Sequence, residues 1–157
     1  MARTVHGIDH EGNVGSPPLI GALLRRPFLA SRARIVAALH EAGFADIQSA
    51  HLAALQYPGP DGRSPSDIAR SALASKQAMN NLLTQLEKAG YLTRVVSPSN
   101  RRERTVALTH RGREVVATIR EAVVAVEAEW KKALGPSEYQ RLRSSLEALN
   151  RALSPHE

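Results

Sequence analysis

Apolar residues recur at helical spacing along most of the chain and alternate at strand spacing in only two short stretches. Ile35, Val36 and Leu39 mark the inner face of a helix over 30–42, which Gly43 ends. Ahead of it, Pro17 and Pro18 can open a helix capped by Ser16, and Pro27 is expected to kink or interrupt that helix. Ile47, Leu52 and Leu55 give an inward face to a short helix over 46–56, and the turn residues of 57–62 make a loop.

After the loop, Ser64 precedes Pro65, and Asp67 falls in the first turn, where the helix dipole favours an acid. This short helix is expected to carry Ile68, Ala69 and Leu73 inward. Ser75 then caps a longer helix over 76–89, with Ala78, Met79, Leu82, Leu83, Leu86 and Ala89 in one stripe, and Gly90 ends it. Residues 91–96 and 104–108 alternate as strands do, and 97–102 form a basic hairpin loop between them. Two long helices follow. Thr109 caps the first, whose inner stripe is Val115, Val116, Ile119, Val123, Val126 and Trp130. Gly135 and Pro136 separate it from the second, where Tyr139, Leu142, Leu146, Leu149 and Leu153 form a seam suited to a partner helix.

The order helix, helix, strand, basic loop, strand predicts a mainly α fold with a small two- or three-stranded β wing. It is a winged helix-turn-helix with N- and C-terminal dimerisation helices. Residues 1–16, which lack periodicity, are expected to form a flexible arm. Residues 17–45 then carry the N-terminal dimerisation helices, 46–112 the DNA-binding region and 113–157 the C-terminal dimerisation helices.

Composition sharpens this picture. Of 157 residues 43% are hydrophobic but only 4% aromatic, so Ala, Leu and Val must do most of the packing, which favours helix. The net charge of +6 admits an anionic partner, and its distribution says more. Residues 91–113 hold six arginines against the single acid Glu103, whereas 114–157 hold six bases and seven acids. With no Cys, disulfides, thiolate metal sites and thiol redox sensing are excluded. No apolar run approaches the roughly 20 residues of a membrane span and no signal-peptide pattern opens the chain, so a cytoplasmic protein is expected.

Major-groove readout needs long polar side chains near a helix N-terminus, with Lys suited to guanine and Asn or Gln to adenine. Ser75, Lys76, Gln77, Asn80 and Asn81 meet that need, although an ordinary amphipathic surface helix also shows a polar side. The lack of acids through Leu86 favours the first reading. Asn100, Arg101 and Arg102 form a candidate wing tip, flanked by Arg94 and Arg104, and a guanidinium there fits a narrow minor groove. The seam from Tyr139 to Leu153 is a candidate dimer interface, or else internal packing. His40 and His51 lack a third ligand at suitable spacing, so structural histidines are the better reading. No catalytic constellation, cofactor motif or metal site stands out.

The stretch Ser64-Pro65-Ser66-Asp67-Ile68-Ala69, then Ser75-Lys76, then Leu86-Glu87-Lys88-Ala89-Gly90-Tyr91-Leu92-Thr93-Arg94 resembles the MarR (multiple antibiotic resistance regulator) family. The resemblance continues through Asn100-Arg101-Arg102 to Val106-Ala107-Leu108-Thr109-His110-Arg111-Gly112. The family pattern has Asp at the places of Asn100 and Ser97, so the wing here is more positive and Arg102 lacks that charged partner. The resemblance implies a triangular homodimer whose terminal helices intertwine, a palindromic duplex operator and a ligand pocket between the dimerising and DNA-binding parts. It further implies a transcription regulator, expected to be a repressor, relieved by a small phenolic or carboxylate ligand. Two other functions fit the same residues: an architectural DNA binder with little sequence selectivity, and a winged-helix protein-interaction module.

Overall fold

The computed structural model describes residues 17–56, 59–97 and 104–153. The elements run α1 (Ile20–Glu41), a 3-10 turn (Ser49–His51), α2 (Leu52–Leu55), α3 (Pro65–Ser71), α4 (Lys76–Lys88), β1 (Leu92–Val96), β2 (Arg104–Leu108), α5 (His110–Leu134) and α6 (Pro136–Leu153). They fall into two compact units, one ending at Ala30 and one starting at Ser31. In the first, Leu19, Ile20, Leu23, Leu24, Phe28 and Leu29 are all exposed.

Helix α1 runs through Pro27 without a break, so of the two expected outcomes, a kink or an interruption, the interruption does not occur. Proline removes one hydrogen bond and crowds the carbonyl four residues back, here that of Leu23. That residue is half exposed, so water can serve the freed carbonyl. The segment 46–56 also differs from expectation. Only one 3-10 turn and one α-helical turn form, although Ile47, Leu52 and Leu55 are buried as their spacing required.

The second unit has one core, built from Ile35 and Leu39 of α1, Ile47, α2, Ile68 and Ala69 of α3, Met79, Leu83 and Leu86 of α4, the two strands, and Val115 and Ile119 of α5. The sequence places each helix start. Ser64 Oγ accepts the Asp67 amide at 3.2 Å, Ser75 Oγ that of Ala78 at 3.1 Å, and Thr109 Oγ1 that of Gly112 at 3.0 Å. Such a cap contributes about 1 kcal/mol, whereas each fully buried Leu or Met contributes about 1.5–3 kcal/mol. The caps therefore set where α3, α4 and α5 begin, and the apolar stripe holds them down.

Leu73 corrects the expected inward set of α3. The helix stops at Ser71, so helical spacing no longer applies, and Leu73 sits at φ 51° with its side chain 95% exposed.

Strands β1 and β2 pair antiparallel from Leu92 opposite Leu108 to Val96 opposite Arg104. Two further backbone bonds, Gly62 N–H to Val106 O at 2.7 Å and Val106 N–H to Arg63 O at 2.9 Å, lay residues 62–63 along the other edge of β2. Of the expected two or three strands, two form the sheet, β1 and β2.

The start of α5 presses on the exit from α4. The Thr109 amide donates to Tyr91 O at 3.1 Å, and the Thr109 hydroxyl donates to Gly90 O at 2.7 Å. A Cβ on Gly112 would lie 1.8 Å from that same Tyr91 carbonyl oxygen. The neighbour is backbone and cannot swing away. We predict that Gly112→Ala destabilises the fold by about 3 kcal/mol, lowering the thermal midpoint by about 6–12 °C. An unchanged midpoint would show that α5 can lift off Tyr91 without penalty.

Candidate nucleic-acid interface

Helices α3 and α4, joined by residues 72–75, form a helix-turn-helix. Met79, Leu83 and Leu86 are buried along one side of α4. Lys76, Gln77, Asn80 and Asn81 are all exposed, and their spacing of one, four and five residues puts them on one face of its first two turns. Ser75 is exposed and caps the helix. The positive end of the α4 dipole and its unsatisfied amides therefore open on the same side as Lys76, an arrangement that suits phosphate.

Two polar tethers fix α4 by its middle and C-terminal turns. Arg94 of β1 donates through Nη2 to Thr84 Oγ1 at 2.9 Å and to Asn80 O at 3.3 Å, with its Nε 3.5 Å from Glu87. Its backbone amide also donates to Glu87 Oε1 at 3.2 Å. Arg94, one of the expected DNA contacts, also braces α4 against the wing. On the other side, His51 Nδ1 accepts the Gln48 amide at 3.0 Å. Nε2 must then carry the proton, which it donates to Gln85 Oε1 at 3.0 Å. His40 Nε2 bonds Ile47 O at 2.9 Å. Both histidines are thus engaged in the scaffold, and no group of three His, Cys, Asp or Glu able to hold a metal occurs among the described residues.

A third junction escaped the sequence reading. The buried Tyr91 hydroxyl donates to Asp46 Oδ1, accepts from Arg111 Nη2 at 2.9 Å, and the Arg111 guanidinium lies 4.6 Å from the Tyr91 ring centroid. The bond from Tyr91 holds the Asp46 carboxyl below its ordinary range, aided by the positive charge of Arg111, while burial raises the Tyr91 hydroxyl. The Asp46 contribution to stability is present above about pH 4 and is lost as pH falls through its lowered value. Nothing in the local sequence signals this, because the partners lie 45 and 20 residues from Tyr91.

Of the wing residues, Arg104 is exposed at the start of β2, and Asn100, Arg101 and Arg102 lie outside the described residues. On α3, Arg70 is exposed and paired with Asp67 at 2.9 Å. The C-terminal seam is not buried within the chain: Leu142, Leu149 and Leu153 are exposed and Tyr139 and Leu146 half-buried. Between α2, α5 and α6 lies a cleft of about 370 Å³ walled by Leu55, Val116, Ile119 and Val123, with Arg120, Glu127 and Arg143 among its polar residues. Arg143 is paired with Glu147 at 3.0 Å and Glu127 at 3.4 Å. No helix among the described residues is long and apolar enough to cross a membrane.

Comparison with known proteins places these features. The model of the MarR family matches residues 42–103, the segment from the end of α1 to the wing. The HTH-type transcriptional repressor Rv2887 of Mycobacterium tuberculosis is 33% identical over 131 residues, 83% of this chain and 92% of the relative. The crystal structure of that MarR family protein in complex with salicylic acid superposes with a TM-score of 0.60 at 30% identity, over 85% of this chain and 98% of the other. The repressor CouR of Rhodococcus jostii RHA1, bound to a 23-mer DNA duplex, gives a TM-score of 0.64 at 25% identity, over 84% of this chain and 92% of that one. With a helix-turn-helix whose polar face is free, a paired wing and this extent of shared sequence, the chain belongs to the MarR family of winged-helix transcriptional regulators.

Proposed function

We propose that this protein is a cytoplasmic, sequence-specific transcription repressor that grips a palindromic duplex as a homodimer and is released by a small phenolic or carboxylate ligand. The observation that carries the reading is the exposed, acid-free face of Lys76, Gln77, Asn80 and Asn81 on a helix anchored from behind. Lys76 supplies a donor for guanine, and Gln77, Asn80 and Asn81 supply paired donors and acceptors for adenine. Arg104, with Arg101 and Arg102, gives the wing its charge toward phosphate and minor groove. The reading invokes no catalysis. It is favoured over an architectural DNA binder because amide side chains, which discriminate bases, outnumber cations on the α4 face.

A dimer is supported by the seam Tyr139, Leu142, Leu146, Leu149 and Leu153, which repeats with coiled-coil spacing while Leu142, Leu149 and Leu153 stay exposed. The ligand is assigned to the cleft between α2, α5 and α6, whose apolar walls suit an aromatic ring and whose arginines suit a carboxylate. Salicylic acid, the ligand of the 30% identical relative, has both parts. Because α2 packs on α4 and α5 carries α6, a ligand there can bias the separation of two reading heads.

Fluorescence anisotropy against an enriched operator duplex tests the DNA and ligand parts together. Lys76→Ala should weaken specific binding by about 1–3 kcal/mol, and Arg102→Ala should weaken it and flatten the salt slope by about one. Millimolar salicylate should release the wild-type protein. Unchanged affinity in both variants would remove this face from the account, and indifference to salicylate would remove that ligand. For assembly, Leu146→Glu is predicted to convert a sedimenting dimer to monomer, whereas an intact dimer would mean that the seam packs elsewhere.

A further inference from the structure

Three helices in this chain end in the same backbone arrangement, and one uses a residue unlike the other two. Gly43, Leu73 and Gly90 sit at φ 92°, 51° and 77°. Each donates its amide to the carbonyl three residues back: Gly43 to His40, Leu73 to Arg70, Gly90 to Glu87. Each following amide reaches five back: Phe44 to Leu39, Ala74 to Ala69, Tyr91 to Leu86. This is the Schellman cap, whose left-handed position takes glycine because a Cβ there crowds the adjoining carbonyl oxygen. At the second of these caps, the one that ends α3, a leucine occupies it.

Among the described residues nothing compensates for that choice. The Leu73 side chain is 95% exposed. The apolar residues at the two positions that usually meet across such a cap are Ala69 and Ala74, buried and half-buried, so Leu73 is not needed there. The position thus combines a disfavoured backbone with a large apolar group in water. An outlier of this kind, kept where glycine would relieve it, directs attention to function.

Its place in the fold says which function. Leu73 lies two residues before the α4 cap Ser75 and three before Lys76, in the turn of the helix-turn-helix. Ala72 and Ala74 on either side are half-buried, so Leu73 is the one large side chain this turn presents outward. A duplex docked on the N-terminal end of α4 is brought beside it. The geometry points to Leu73 as a further DNA contact, its isobutyl group closing on an apolar edge of the duplex, either a thymine 5-methyl group or a deoxyribose face. The inference rests on the DNA-binding reading above and extends it to a residue that the polar face does not include. A methyl contact adds discrimination for A·T pairs, whereas a sugar contact adds affinity alone.

The test uses the full-length protein, Leu73→Gly and Leu73→Met, with thermal unfolding and anisotropy titrations on an enriched operator and on the same duplex with uracil replacing thymine. Leu73→Gly is expected to melt about 2–4 °C above wild type yet bind the operator about five- to tenfold more weakly. Leu73→Met, which keeps an apolar chain, should stay within about threefold of wild type. Weaker wild-type binding to the uracil duplex, with no such loss for Leu73→Gly, identifies the thymine methyl. A loss in Leu73→Gly that is equal on both duplexes identifies the sugar. If Leu73→Gly binds the operator as tightly as wild type, the inference is overturned while the DNA reading stands. If the wild-type protein binds no duplex, both fall.

Discussion

The placement of α4 depends on one close approach, that of Gly112 to the Tyr91 carbonyl. At that point the chain leaves α4, and the same oxygen accepts the Thr109 amide as α5 begins. A side chain at 112 would hold the two segments apart. Because α5 joins the core through Val115 and Ile119, the contact transmits the position of the long helix to the exit of α4. The Tyr91 side chain extends the joint, since its hydroxyl reaches Asp46 ahead of α2 and Arg111 on α5. Three parts of the chain distant in sequence meet on one residue.

The rest of the scaffold holds α4 from behind and leaves its front open. Burial of Met79, Leu83 and Leu86 supplies most of the hold, and the Arg94 and His51 tethers fix rotation about the helix axis more than they add stability. Both tethers act on side chains from Thr84 onward or on the Asn80 carbonyl. The side chains of Lys76, Gln77, Asn80 and Asn81 stay available. A fixed helix with unengaged polar groups at its N-terminal end is suited to reading bases, because on docking only side chains, not the backbone, have to be ordered.

What was legible in the sequence was local. Ser64-Pro65 with Asp67, Ser75 and Thr109 mark helix starts through bonds to amides three residues on, so the order and starts of α3, α4 and α5 could be read directly. The buried stripes of α4 and α5 followed from periodicity, except that Ala78, expected inward, lies in the exposed first turn of α4. Reading failed where a neighbour or the solvent decided the outcome. Pro27 is tolerated because the carbonyl it orphans belongs to a half-exposed residue. Residues 46–51 follow hydrogen bonds from His40 and His51 rather than a helical pattern. Leu73 looked apolar and therefore inward, but its cap turns it out. The bonds of Arg94 to Thr84 and Glu87, ten and seven residues away, had no signal in the local sequence.

In the proposed function, two copies of this polar-faced helix read a symmetric duplex. Selection of bound sequences from a random duplex pool, at near-physiological salt, tests it most directly. The account predicts enrichment of one palindrome whose half-sites lie about one helical turn, roughly 34 Å, apart. Recovery of DNA with no enriched sequence, or of no DNA at all, would contradict it.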